Sequence, residues 1–192
     1  MDKLNIEYGK FLIAFESICQ DLRSTINSMC TTKGVMSKEF TYIEILMHGL
    51  TAYPLIEKYR AIFMTKYAEG DSCLEHINTL YKLFLKVVEI RNSLAHGTTS
   101  LGDPHANINN FTLKYPKLNK QGYYSNMAVV EIKSLTELNH QIEKLGVCFR
   151  LVKLILSLRK AEREDQDIIT RLKEELIIID IELKIVTRSI QS

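Results

Sequence analysis

The amino-acid sequence predicts an all-α protein, an antiparallel helical bundle with a small β-hairpin inserted before the last core helices. Apolar residues recur every three or four positions through most of the 192 residues, which is the period of an amphipathic helix. Only 3 prolines and 8 glycines interrupt this pattern, so long helices are expected. Between residues 98 and 133 the helical period is absent, and two short strand-like segments surround a turn region instead.

The composition places the chain among ordinary globular proteins. Its apolar share of 46% and charged share of 25% are close to the averages of that class, and the net charge is only +2. No apolar run has the length of a membrane span and the first residues lack a signal-peptide pattern, so we expect a cytoplasmic protein with no membrane partner. The four cysteines lie far apart and no glycine-rich phosphate loop is present, so we expect neither a metal nor a cofactor.

The first three helices follow from apolar stripes and from the breaks between them. The first helix is expected from about Leu4 to Cys30, where the segment "TTKGVMS" ends it. Ser37 is a typical N-cap residue for the second helix, which Pro54 is expected to end or kink near Tyr53. The third helix then runs to the turn "EGDS".

The fourth helix is expected to be buried over most of its circumference, because two apolar stripes run along it side by side. Ser72 and Glu75 have the spacing of a capping box at its start, and Gly97 is placed as its C-terminal cap. The narrow remaining face is polar and carries Lys82, Lys86, Glu89, Ser93 and His96.

Arg91 interrupts one of the two apolar stripes of the fourth helix. The stripe passes through Ile77, Tyr81, Phe84 and Val88. Its next position, three residues after Val88, is Arg91. A charge on a buried stripe needs a counter-charge or a ligand, because taking it out of water is costly. Arg91 is therefore a candidate functional residue.

Residues 1–160 are expected to form one helical domain, with the hairpin insertion at about 99–133. The hairpin is predicted from two alternating segments around a Lys, Asn and Gly turn. Ser134 and Glu137 then form a second capping box, which predicts the start of a fifth long helix.

The remaining residues, 161–192, are predicted to contain an amphipathic helix that packs on the core or on a dimer partner. The polar stretch "AEREDQD" precedes it, either as a solvated helical segment or as a bend. Apolar residues between 168 and 190 fit a helix, yet several also alternate with charged ones as in a strand. We favour the helix because no helix breaker lies upstream.

The segment "EIRNSLAHG" at the end of the fourth helix resembles the R-(N/D/H)-x3-H motif of the HEPN superfamily, through Arg91, Asn92 and His96. The similarity extends to the aromatic first helix, "YGKFLIAFESI", and to a last core helix after a variable loop. Members are helical bundles, and many are metal-independent ribonucleases that act as toxins or phage-defence effectors. The resemblance therefore implies an RNA substrate, a composite site in a homodimer and an antitoxin or regulatory protein as a further partner.

The motif residues suit RNA cleavage on chemical grounds as well. Metal-independent cleavage requires a group that exchanges protons near neutral pH and a cation that neutralises charge on the phosphate. We therefore assign the proton transfers to His96, the scissile phosphate to Arg91 and the orientation of the imidazole to Asn92. Exposed residues on the same polar face are expected to extend the RNA path, namely Lys82, Lys86 and Ser93.

Helical geometry separates Arg91 from His96. Asn92 and His96 lie one turn apart, whereas Arg91 and His96 are about 140° apart around a regular helix axis. Arg91 would therefore meet a histidine from a second chain more easily than its own. Two alternatives remain open: a non-catalytic HEPN-like module that binds RNA, a nucleotide or a protein partner, and a motif that merely ends a helix with Arg, His and Gly.

Overall fold

The computed structural model describes residues 2–31, 37–67, 71–96, 98–100, 110–119, 122–182 and 185–187. The predicted all-α bundle is confirmed: the described residues form six helices and one small sheet. The helices are α1 (Asp2–Cys30), α2 (Lys38–Met47), α3 (Ala52–Lys66), α4 (Leu74–His96), α5 (Ile132–Lys160) and α6 (Gln166–Ile177).

Helices α1 and α5, each of 29 residues, form the most extensive helix pair of the bundle. A chain of aromatic rings joins them to α3 and α4. Phe15 stacks on Phe84 with ring centroids 5.7 Å apart, and Phe149 meets the edges of Phe84 and Tyr59 at 5.8 and 5.9 Å. Of these buried rings, Phe84 lies on the apolar stripe predicted for the fourth helix, and Phe15 lies in the aromatic segment of the first helix. In the described ranges, no helix combines the length and apolarity needed to cross a membrane.

The connection between α2 and α3 differs in part from the prediction. Ser37 is the N-cap of α2 as expected, and its Oγ accepts a hydrogen bond from the Phe40 N–H at 3.2 Å. However, α2 ends at Met47, and Pro54 is the third residue of α3 instead of a terminator. Proline is tolerated there because N–H groups of a first helical turn have no acceptor within the helix. Gly49 turns the chain with φ +79°, a conformation open to glycine.

The starts of α4 and α5 are each shifted relative to the predicted caps. At α4 the hydrogen-bonded side chain is Asp71, one residue before Ser72, and its Oδ1 accepts from the Cys73 N–H at 2.8 Å. Helix α5 begins at Ile132, two residues before Ser134, because a strand leads directly into it. Gly97, the expected cap of α4, lies outside the described residues.

The predicted hairpin is confirmed and belongs to a four-stranded sheet. The strands are β1 (Thr98–Ser100), β2 (Asn110–Asn119), β3 (Gly122–Glu131) and β4 (Ile185–Thr187). All neighbours are antiparallel, in the order β1-β2-β3-β4. The hairpin register pairs Asn110 with Glu131 at one end and Asn119 with Gly122 at the other.

The predicted terminal helix is wrong beyond Ile177, where α6 ends. Ile179 and Ile181 are buried whereas Asp180 between them is exposed, which is the alternation of an extended chain. Residues 185–187 then pair with β3 as β4. The β-branched isoleucines favour this extended state, and the edge of β3 supplies backbone hydrogen-bond partners. The polar stretch before α6 is a bend, with Glu162 at φ 55°.

Helix α6 packs on the core, against α5 and α4, through Ile169, Leu172 and Leu176. An ion-pair cluster around Arg159 also holds it there. The guanidinium donates to Asp71 at 2.6 Å and to Asp165, and its Cζ lies 5.4 Å from the Tyr67 ring centroid. Burial acts to lower the pKa of Arg159, but the hydrogen bonds to Asp71 and Asp165 raise that pKa overall.

Candidate functional site

A cleft of about 360 Å³ opens where α1, the α2–α3 connection and α4 meet. Helix α1 contributes Glu16, Cys19 and Arg23 to its walls, and α4 contributes Arg91 and Asn92. Residues 50–53 form the third side. The structure thus places two of the three predicted motif residues in one concave site, together with a second arginine.

Arg91 lies on the cleft wall without a counter-charge among the described residues. Its side chain is half-buried, and its Cζ is 5.9 Å from the Phe15 ring centroid. The Nε atom is buried and has no hydrogen-bond partner among the described residues, while Nη1 donates weakly to Asn92 Oδ1 at 3.4 Å. The prediction that Arg91 occupies a buried stripe is therefore confirmed, and the guanidinium retains donors for a ligand.

Arg23 is a cleft residue that the sequence reasoning missed. Its Nη2 donates to the Leu50 carbonyl oxygen at 3.3 Å, which joins α1 to the α2–α3 connection. Arg23 is one helical turn after Cys19, at the edge of the buried face of α1. That spacing is a signal that could have marked it as half-buried. Its proximity to Arg91, 68 residues later in the chain, arises from the packing of α4 on α1.

Cys19 lines the same cleft as the two arginines, and their charges act on its thiol. Burial and, to a smaller extent, Glu16 raise the pKa of its thiol and Arg23 and Arg91 lower it, which leaves this pKa raised to about 12. The thiol is consequently protonated at neutral pH and is a poor nucleophile. Both guanidinium groups line the same cleft as this thiol, and the charge of each acts on it.

The α2–α3 connection forms the rim of the cleft. After the turn at Gly49, the chain passes Leu50 and enters α3 through Thr51 and Tyr53. The Tyr53 side chain lines the cleft while 54% of its surface stays exposed. An exposed ring beside two cationic groups is a common arrangement in sites that bind nucleotides. Sequence reasoning placed Tyr53 only at a helix end.

His96 is the last residue of α4, and the helix is continuous from Arg91 to this point. Regular geometry therefore holds through the motif and keeps the Cβ directions of Arg91 and His96 about 140° apart. The His96 side chain lies outside the described residues. Asn92 lines the cleft and precedes His96 by one turn, as the sequence predicts.

The structure does not bring the predicted RNA-path residues to the cleft. Lys82 and Lys86 are exposed on the side of α4 facing away from Arg91, and neither lines the cleft. Ser93 Oγ donates to the Glu89 carbonyl oxygen at 2.9 Å within the same face. Lys82, Lys86 and Ser93 lie on the side of α4 on which helical geometry also places residue His96.

No family model, curated protein or solved structure matches this chain. The resemblance to the HEPN superfamily consequently stays a prediction that rests on the residues themselves. Across the part of the chain that the structure describes, no group of three or more His, Cys, Asp or Glu side chains is placed to hold a metal ion.

Proposed function

We propose that this protein is a metal-independent endoribonuclease of the HEPN type, which cleaves RNA at a composite site of a homodimer. The observation that carries the proposal is the state of Arg91: its guanidinium sits in a cleft against Phe15, with a buried Nε that no described residue satisfies. An unsatisfied buried donor of a permanent cation is costly, and a phosphate oxygen would satisfy it.

In the proposed reaction, the ribose 2'-oxygen attacks phosphorus and the bond from phosphorus to the 5'-oxygen breaks. One imidazole removes the 2'-hydroxyl proton, and the imidazolium that forms donates a proton to the departing 5'-oxygen. The products are a 2',3'-cyclic phosphate and a 5'-hydroxyl. Arg91 stabilises the charge that develops on the phosphate oxygens, and Asn92 orients His96.

A dimer would complete the site because one chain separates its own arginine from its own histidine. Helix α4 is regular through His96, so the Arg91 cleft and the His96 position face different directions. A partner helix could bring its histidine to the cleft. The C-terminal end of α4 also carries partial negative charge, which favours the imidazolium form of His96 and its role as an acid.

The second candidate is a non-catalytic module that binds RNA, a nucleotide or a protein partner. The described cleft favours it in one respect, because Arg23 and Arg91 place two cations on its wall and each keeps N–H donors beyond its bond to a neutral oxygen. In this alternative the cationic cleft docks a ligand and no bond is broken.

The test is cleavage of mixed RNA by purified protein in EDTA. We expect the wild type to cut and Arg91→Ala and His96→Ala to lose activity. Arg150→Ala is the matched control, since Arg150 pairs with Asp21 of α1 at 3.6 Å but does not line the cleft. A wild type that binds RNA through Arg91 without cutting it would support the docking module and contradict the nuclease.

The resemblance also extends the proposal to a biological context, a cytoplasmic toxin or phage-defence effector with an antitoxin or regulatory partner. Expression of the wild type in bacterial cells would then arrest growth, and Arg91→Ala would not. Equal growth with both proteins would contradict this part of the proposal.

A further inference from the structure

We propose that the cleft holds a single nucleotide of single-stranded RNA, with its phosphate between Arg23 and Arg91 and its base against Tyr53. The choice of RNA rests on the proposed function, whereas the subsite itself rests on the cleft. Of these three residues, only Arg91 belongs to the R-(N/D/H)-x3-H motif; Arg23 and Tyr53 lie outside it.

The phosphate position follows from the two guanidinium groups. They come from different helices, α1 and α4, and both line the same cleft. Arg91 has its buried Nε free of described partners, and the hydrogen bond described for Arg23 occupies Nη2 on the Leu50 carbonyl. Each guanidinium carries five N–H donors, so both retain donors that suit phosphate oxygens.

The two arginines also have no carboxylate partner among the described residues of the cleft. Glu16 is the acidic residue of the described wall, and it forms no ion pair with Arg23 or Arg91 among the described contacts. It lies two helical turns before Arg23, about 10 Å along the α1 axis. Its charge weakens anion binding without blocking the arginines, so Glu16→Gln should tighten binding of inorganic phosphate.

The base position follows from Tyr53 and from the size of the cleft. A volume of about 360 Å³ is at the small end of ligand sites, enough for one nucleotide and too small for a duplex. The Tyr53 ring is half exposed at the rim, where a base could stack on it. The Arg23 bond to the Leu50 carbonyl joins α1 to the segment that carries Tyr53.

The experiment is equilibrium binding of two probes that cannot be cleaved, a fluorescent 2'-O-methyl hexanucleotide and inorganic phosphate. Arg23→Gln should weaken binding of both by about 10-fold, because it removes a charged hydrogen-bond donor. Tyr53→Ala should weaken the hexanucleotide by about 10-fold and leave phosphate unchanged, since stacking acts only on a base. A duplex of the same sequence should bind more weakly than the single strand.

Two further variants keep the result interpretable. Arg150→Gln removes an arginine outside the cleft and should leave both affinities unchanged. Arg23→Lys keeps the charge but not the fork of donors, and should lie between the wild type and Arg23→Gln. Circular dichroism and the Tm would establish that each variant is folded.

The outcomes separate this inference from the proposed nuclease. Wild-type affinity in both Arg23→Gln and Tyr53→Ala, or equal binding of duplex and single strand, would overturn the subsite while cleavage through Arg91 and His96 could still stand. The expected affinities together with no cleavage in EDTA would keep the subsite and overturn the nuclease. If the subsite is correct, Arg23→Gln weakens both probes and Tyr53→Ala weakens only the hexanucleotide, whether or not the protein cleaves RNA.

Discussion

Arg159 and Arg91 both lie against aromatic rings but differ in their partners. Arg159 lies over Tyr67 and is paired with Asp71 and Asp165, which come from two other parts of the chain. Arg91 lies near the ring of Phe15 and has no described carboxylate partner. One guanidinium is satisfied within the protein and the other is not.

This difference is the one expected between an arginine that connects elements of the fold and an arginine that binds a ligand. A guanidinium that only connects elements is stabilised by carboxylates that offset its desolvation, as Arg159 is. A guanidinium kept half-buried and unpaired lowers stability unless a ligand completes its hydrogen bonds. Arg91 is in the second condition, and it is also the residue that the motif points to.

The largest expected effect is on cleavage. Arg91→Met should reduce kcat/KM for RNA by about 100-fold or more, because it removes a cation from the position where phosphate charge develops. Arg159→Met should keep wild-type kcat/KM at a temperature where it is folded. Initial rates on a fluorescent RNA in EDTA would measure both. Equal losses in the two variants would remove the distinction between the arginines.

The next effect is on stability at Arg159. Arg159→Met should reduce the free energy of unfolding by about 3 kcal/mol, since it leaves Asp71 and Asp165 largely buried without a counter-charge. Urea titration would measure the change. The additional substitutions Asp71→Asn and Asp165→Asn should recover part of it. A loss below about 1 kcal/mol would show that the cluster is not structural.

Stability should respond far less at Arg91. Arg91→Met places an apolar side chain on an apolar stripe and breaks no described ion pair, so the free energy of unfolding should change by less than about 1 kcal/mol. The same urea titration applies. A loss comparable to that of Arg159→Met would mean that Arg91 has a strong partner within the protein.

The smallest expected effect is on the pH dependence of stability, at the paired carboxylate of Glu7. Glu7 receives hydrogen bonds from Lys10 at 2.8 Å and Asn139 at 2.9 Å, and the Lys10 bond is the main cause that lowers its pKa below 4.5. A lowered pKa in the folded state means that this stability is present above pH 4.5 and is lost as the pH falls below it. In Glu7→Gln, the free energy of unfolding should therefore depend less on pH in this range. An unchanged acid profile in Glu7→Gln would contradict the pairing.

Much of the fold could be predicted because local patterns decide it. The helical period located the long helices, and the N-cap at Ser37 and the hairpin were also correct. The end of the chain could not be decided in this way, since the isoleucines after Ile177 fit both periods. Pairing with β3 selected the strand, and such long-range pairing leaves no local signature.

The candidate site could be predicted only in the part that one helix supplies. Arg91 was identifiable because a charge interrupted an apolar stripe on α4, and Asn92 follows it directly. Arg23 and Tyr53 were not, because their place in the cleft depends on how α1 and the α2–α3 connection pack against α4. The lysines of α4 lie on the polar face predicted for them, and this face does not coincide with the cleft wall.

The most direct test of the composite site is complementation between two inactive variants. Arg91→Ala and His96→Ala would each be inactive alone, and would be unfolded and refolded together to form mixed dimers. Each mixed dimer would hold one site with both wild-type residues, so the mixture should regain about a quarter of the wild-type activity in EDTA. If mixed dimers form and the refolded mixture is no more active than either variant alone, the composite site is contradicted.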